Sequence, residues 1–168
     1  DIDWADLIIK NPAVKPRNKY IEYALKNGKK VETDMGIFLT HVKPSQIIGV
    51  TGTKGKSTVA SLIYETISNL THDDTPGVES LDTSRLHTGS DVVFAGNIGK
   101  SVLDTIEHIK SDTLVILEIS SFQLEAFEEK KVSPKYAVIT NIYPDHLNYY
   151  SSMEEYVAAK KNIAKYQT

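Results

Sequence analysis

Three glycines at three-residue spacing, Gly49, Gly52 and Gly55, run directly into Lys56, Ser57 and Thr58. Gly52 and Gly55 can adopt positive φ and leave backbone N–H groups free to face an anion. A helix starting at this point adds its positive end. Lys56 would neutralise β/γ-phosphate charge, the Ser57 hydroxyl would reach a magnesium ion, and Thr53 and Thr58 complete the loop. The common phosphate-loop pattern places glycine six residues before the lysine, where this chain has Val50. The competing reading is a glycine-rich turn with solvated lysines, and the strand and helix expected on either side argue against it.

Further along, Glu118 ends the apolar run "TLVILE". A carboxylate there is conspicuous because glutamate is rarely buried without a partner, and in phosphate-loop enzymes a strand carboxylate commonly helps to hold magnesium. A strand-end glutamate reaching solvent fits the same residues. Asp145 and His146 follow the strand "YAVITNI", and ligands of open α/β sheets bind outside such strand ends, although a loop histidine is often merely solvated. Lys160 lies in "SSMEEYVAAKKNIAK", where spacing alone makes it one lysine of a charged helical face.

The elements that must position these groups alternate. "DLIIK" (6–10) reads as a strand, and a helix over 18–26 carries Tyr20, Ile21, Ala24 and Leu25 and stops at Asn27-Gly28. A strand near 30–33 follows, so the first ~45 residues resemble the tail of a βαβ unit. Pro44 marks a domain boundary. After it come the strand "QIIGV" and a helix from Ser57 to Leu70 with Val59, Leu62, Ile63 and Ile67 inward. Residues 71–91 are polar and turn-rich, an insertion or a flap at the mouth of the site. Then follow the strand "DVVFAG", a helix from Ile98 to Lys110, the strand "TLVILEI", a helical turn at "SSFQLEAF", the strand "KYAVITNI" and a helix from Ser152 onward. Continuous apolar strands alternating with helices predict an α/β fold, a mostly parallel sheet with helices on both faces.

The chain has 168 residues, 40% of them hydrophobic, which suffices for one cored domain and part of another. A net charge of -3 with interspersed signs provides no basic stripe for a nucleic-acid backbone. With no cysteine, disulfides and thiolate metal sites are excluded, and a reducing cytoplasm is compatible. No apolar run reaches the ~18 residues of a membrane span, and "DIDWADLIIK" lacks the basic start and apolar core of a signal peptide.

Taken in order, "VTGTKGKST", "GNIGKSVL", "LEISSFQLE", "TNIYPDHLNYY" and "YVAAKKNI" resemble the Mur ligases, the ATP-dependent amide-forming enzymes of peptidoglycan synthesis. Val50 follows that family's loop, in which a branched apolar residue precedes TGT/S-N-GK-S/T, and Lys54 departs from it, standing where asparagine is usual. "SSFQLE" is most similar to the D-glutamate-adding branch. "DLIIKNPAVKP" resembles the end of the family's UDP-binding domain, with Asn11-Pro12-Ala13 where Ser-Pro-Gly is more usual.

The resemblance implies that residues 1–44 are the C-terminal part of a Rossmann-like UDP-binding domain and residues 45–168 part of the central ATP-binding domain. It implies that Lys56, Ser57 and Glu118 serve ATP and a first Mg²⁺. Lys160 would be carbamylated and join His146 on a second Mg²⁺, while Asn97, Ser120 and Gln123 hold the substrate. The implied substrates are UDP-N-acetylmuramoyl-L-alanine and D-glutamate, joined in the cytoplasm through an acyl phosphate. An acceptor-binding domain would follow Thr168, so these residues alone are expected to make no amide bond. The rival expectations are another ligase of the family, a folylpolyglutamate-synthetase-like enzyme, or a non-catalytic nucleotide-binding module.

Overall fold

In the computed structural model, residues 2–15, 17–72, 91–97 and 101–168 are described. Strand β1 (Leu7–Ile9), helix α1 (Lys19–Lys26) and strand β2 (Lys30–Glu32) form a βαβ unit whose strands pair in parallel, Leu7 opposite Lys30. Asn18 caps α1 by accepting from the Tyr20 N–H at 2.9 Å, and Gly28 at φ +70° turns the chain out of it. Of the four apolar residues at helical spacing, Ile21 and Ala24 are buried, and Tyr20 and Leu25 are exposed.

Helix α2 (Asp34–His41) was not anticipated from the apolar pattern. The Thr33 hydroxyl caps it, accepting from the Gly36 N–H at 3.0 Å, and Met35 and Phe38 are fully buried. A 3-10 turn, Pro44–Gln46, then leads into strand β3 (Ile47–Thr51), whose five residues are all buried.

The main sheet has the order β4-β5-β3-β6, with β4 Val92–Gly96, β5 Leu114–Glu118 and β6 Tyr136–Ile139, all parallel. Alternating side chains build a core on each face, as the expected α/β class requires. Ile47, Val115 and Leu117 pack with Met35 and Phe38 of α2 and with Phe127 of helix α4 (Leu124–Lys130). On the other face, Ile48, Val50 and Ile116 pack with Ala60 and Ile67 of helix α3 (Lys56–His72). Helix α5 (Met153–Lys161), capped by Ser152, closes the described chain.

Two expectations need correction. Leu62 is 61% exposed, while Ala60 and Ile67 are the buried residues of α3. The face toward the sheet is centred between Val59, Ala60, Ile63 and Ile67, and a residue at 62 lies well over 90° away from it at ~100° per residue. The helix expected from Ile98 to Lys110 is a 3-10 helix, Val102–His108, in which Thr105 Oγ1 donates to the Val102 carbonyl at 2.7 Å. Residues 73–90, the core of the expected insertion or flap, and Ile98 to Lys100 lie outside the described residues.

Helix α2 lies before Pro44 in sequence and packs into the core that follows it. Phe38→Ala, emptying a fully buried aromatic site, is therefore expected to destabilise the whole sheet unit by about 3–5 kcal/mol in equilibrium denaturation. A loss below about 1 kcal/mol would mean that α2 is peripheral.

Candidate functional site

Strands β3, β5 and β4 finish in line: Val50 is opposite Glu118, and Glu118 is opposite Gly96. The strands are all parallel, so the loops after them gather at one end of the sheet, where open parallel sheets bind ligands. A cleft of about 520 Å³ opens there. Gly52, Thr53 and Lys56 from the glycine loop line it, with Lys160 and His146 from the other side. Asn97, Ser120 and Gln123 form a third part of its wall. Gly55, Ser57, Thr58 and Glu118 are not among its lining residues: Ser57 and Thr58 are exposed on the first turn of α3, and Glu118 is buried.

The loop between β3 and α3 is held from outside. Gly52 has φ +151°, and a Cβ there would run into Thr140 Oγ1; Gly55 has φ +78° in open space. Thr53 N–H donates to the Asn141 carbonyl at 2.9 Å. The Thr53 hydroxyl accepts from Tyr143 N–H at 3.0 Å and lies 3.1 Å from the Tyr156 hydroxyl. Lys56 Nζ donates to the Thr53 carbonyl at 3.1 Å, so the amine lies over the loop on the cleft side.

Lys160 is not on a solvated face. Its side chain is 1% exposed, and Nζ donates to the Gly52 carbonyl at 3.0 Å and to Thr51 Oγ1 at 3.4 Å. Thr51 Oγ1 donates in turn to the Ile119 carbonyl at 2.7 Å, which leaves its lone pairs for the amine. Burial pushes the Lys160 pKa down from its ordinary 10.5 to about 8, the charge of Lys56 adds to the shift, and Asp145 opposes it. The amine is still mostly protonated at neutrality, but its neutral form, the one a nucleophilic or carbon-dioxide-binding amine uses, is far more populated than in an ordinary lysine.

Glu118 is 2% exposed, and its Oε2 has no hydrogen-bond partner among the described residues. An orphaned carboxylate oxygen at a strand end suits a cation, and the carboxylate, the Ser57 hydroxyl and phosphate oxygens are the hard donors magnesium prefers. No three His, Asp or Glu side chains converge among the described residues. A magnesium ion would therefore need hydroxyl, water and phosphate oxygens to complete its shell.

His146 adopts φ +54°, and its N–H donates to Asp145 Oδ1 at 2.8 Å. Its ring packs on Phe122 at 4.8 Å, and Phe122 lies between Ser121 and Gln123 in the turn after β5. In that turn, Gln123 Oε1 accepts from both Ser120 N–H and Ser120 Oγ at 3.0 Å, which leaves the amide's donor side as the part it can offer a ligand.

Tyr156, Phe122, Asp34 and Ser101 also line the cleft; the first two and Ser101 stand inside the quoted motifs, but the sequence reading gave none of the four a role. Asp34 had a signal: Thr33-Asp34 has the form of a helix start, with a cap followed by an acidic first turn. Tyr156 opens "YVAAKKNI", but nothing local marks its contact, because its partner Thr53 lies 103 positions away.

Lys160→Met keeps the stem and removes the titrating amine. The folded-state pKa lies below the unfolded 10.5, so the unfolded chain holds more protons between about pH 8 and 10.5. The wild-type protein is therefore expected to gain stability relative to the variant as pH rises through that window. Paired urea titrations at each end measure this, and a difference that stays flat would show that Lys160 titrates normally.

Residues 50–168 match the family described as the Mur ligase middle domain. The UDP-N-acetylmuramoylalanine--D-glutamate ligase of Borreliella burgdorferi (strain ZS7) is 39% identical over 168 residues, covering 100% of this chain and 32% of that protein. The protein of the same name from Roseiflexus sp. (strain RS-1) is 38% identical over 167 residues, covering 99% and 32%. The chain thus spans about a third of the length of the curated relatives it matches. Among solved structures, the UDP-N-acetylmuramate-alanine ligase of Thermotoga maritima superposes with a TM-score of 0.55 at 26% identity, over 99% of this chain and 35% of that one. A second ligase structure, from Neisseria meningitides, has a TM-score of 0.51 at 13% identity, covers 98% and 49%, and shows the fold alone. By the match over residues 50–168, the chain belongs to the Mur ligase family through its middle domain.

Proposed function

We propose that this chain carries the ATP-handling and carboxylate-activating centre of a cytoplasmic ligase that joins D-glutamate to UDP-N-acetylmuramoyl-L-alanine. The observation that carries the reading is the meeting, at one end of the sheet, of a phosphate loop, an orphaned buried carboxylate and a buried lysine with a lowered pKa. The names of the curated relatives supply the choice of acceptor. In domain terms, residues 1–44 are the end of a Rossmann-like UDP-binding domain and residues 45–168 belong to the central ATP-binding domain, with α2 packed into the central core. No described helix is long and apolar enough to cross a membrane.

The reaction class is transfer of the γ-phosphoryl group of ATP to the alanyl carboxylate, followed by attack of the glutamate amine on the acyl phosphate and loss of phosphate. Most of the catalysis in such a transfer is positioning and charge screening. Gly52, Thr53, Gly55, Lys56, Ser57 and Thr58 hold the phosphates. Ser57 and Glu118 would hold one Mg²⁺, and His146 with a carbamylated Lys160 would hold another; bound there, magnesium would supply screening between the anionic carboxylate and the γ-phosphate. Asn97, Ser120 and Gln123 orient the muramoyl substrate. Carbamylation consumes a neutral amine, forms an N–C bond to carbon dioxide and releases a proton. The product keeps one N–H, so the bond from Lys160 to the Gly52 carbonyl survives while an anionic oxygen donor is gained.

Lys56→Ala is expected to weaken Mg-ATP binding roughly 10- to 100-fold, the worth of a charge-assisted bond, with no change in melting temperature. Calorimetry on the full-length protein reads it, and unchanged affinity would end the phosphate-loop assignment. The acceptor is tested by incubating the full-length protein with Mg-ATP and labelled D-glutamate across a panel of UDP-muramoyl precursors and folates. Labelled product from UDP-N-acetylmuramoyl-L-alanine is expected. Product from another acceptor alone would reassign the branch, and ATP binding without product would leave a nucleotide-binding module.

A further inference from the structure

Asn141 is not among the residues assigned to nucleotide, metal or substrate, yet its side chain makes a two-point contact with the phosphate loop. Its Oδ1 accepts from the Lys54 N–H at 3.0 Å and its Nδ2 donates to the Lys54 carbonyl at 3.0 Å. Its own carbonyl accepts from the Thr53 N–H at 2.9 Å. The neighbouring Thr140 hydroxyl also donates to the Lys54 carbonyl, at 2.6 Å. A primary amide has one acceptor and one donor edge side by side, which is the complement of one residue's backbone N–H and C=O. No other uncharged side chain of this length offers both.

Two consequences follow for the loop. The polar groups of Thr53 and Lys54 that would otherwise compete for an anion or collapse the loop are already paired, which fixes the turn that presents Gly55 and Lys56. Asn141 also begins the segment that ends in Asp145 and His146, so the phosphate loop and the His146 arm are fixed to one another across 87 sequence positions.

We propose that Asn141 is a positioning residue that holds the phosphate loop in its anion-binding shape, acting through the Lys54 backbone and without touching nucleotide. This rests on the reading of the loop as an ATP site. The test uses Asn141→Ala and Asn141→Asp in the full-length protein, with Mg-ATP affinity measured by calorimetry beside wild type at each pH. Asn141 is only half-buried, so both variants are expected to fold.

Asn141→Ala should weaken binding roughly tenfold or more. Asn141→Asp has the same shape, but as a carboxylate it sets an acceptor against the Lys54 carbonyl. It should bind as poorly as the alanine variant at about pH 8 and recover toward wild type by about pH 5, as the protonated carboxyl regains an O–H donor for that carbonyl. A residue that merely supports the fold would not show that recovery.

Alanine-variant affinity within about twofold of wild type, or an aspartate-to-wild-type ratio that stays flat with pH, would overturn the proposal. Loss of the fold in both variants would also overturn it, since the role assigned is confined to the loop. If the wild type itself binds no Mg-ATP, the ATP-site reading fails first, and this inference with it.

Discussion

The amine of Lys160 is buried at the end of the central strand, and a buried amine must find acceptors where it lies. It finds the Gly52 carbonyl and the Thr51 hydroxyl. That pairing docks α5 against the end of β3 and turns the Gly52 carbonyl inward, away from the cleft. The next peptide groups are then committed in turn: Thr53 N–H to the Asn141 carbonyl, Lys54 N–H and C=O to the Asn141 side chain. Those particular groups are thereby spent on the protein, and a ligand would meet the remaining N–H groups of the loop and the Lys56 amine. Gly52 has no substitute, because its φ of +151° and the adjacent Thr140 hydroxyl exclude a side chain.

The same placement sets the electrostatics. Lys56 and Lys160 reach the cleft from opposite sides of the loop backbone, and the charge of Lys56 helps to lower the Lys160 pKa. Two cations at one anion site are favourable only when the anion is present. Loss of the Lys160 proton would relieve their repulsion, and a carbamate there would replace it with attraction. Burial thus lowers the proton affinity of one lysine that still borders the cleft.

Much of this was legible in the residues. Apolar strands alternating with helices pointed to the parallel sheet, and glycine spacing located the turn between β3 and α3, because both are consequences of local chain geometry. Helix α2 was illegible by periodicity: "DMGIFLTH" is short and mostly apolar, so it presents no polar stripe to contrast with its buried face. Leu62 was misplaced because four apolar residues fit a helical stripe about equally well, and contact with the sheet chose Ala60 instead. For Lys160, spacing favoured solvent and the family resemblance favoured the site; its burial depends on β3 ending beneath α5, which no local pattern encodes. Asn141 and Tyr156 are harder still, since what matters is the backbone or hydroxyl they meet far away in sequence.

The position of the N-terminal segment over the cleft has its own physical origin. Asn11, Pro12 and Ala13 line the cleft together with Gln123, so their placement helps to shape it. Polar links reach across: Lys130 pairs with Glu32 at 2.9 Å, and Lys15 Nζ donates to the Asn148 carbonyl at 3.0 Å while lying 5.4 Å from the Tyr149 ring centroid. Exposed or half-exposed links of this kind contribute at most about 1 kcal/mol each. Burial of Met35 and Phe38 against Phe127 and the sheet outweighs them, at roughly 1.5–3 kcal/mol per side chain. Helix α2 is therefore the main anchor of the βαβ unit on the sheet. The ion pair and the lysine contact trim the orientation of a unit whose distance from the cleft is set by hydrophobic packing.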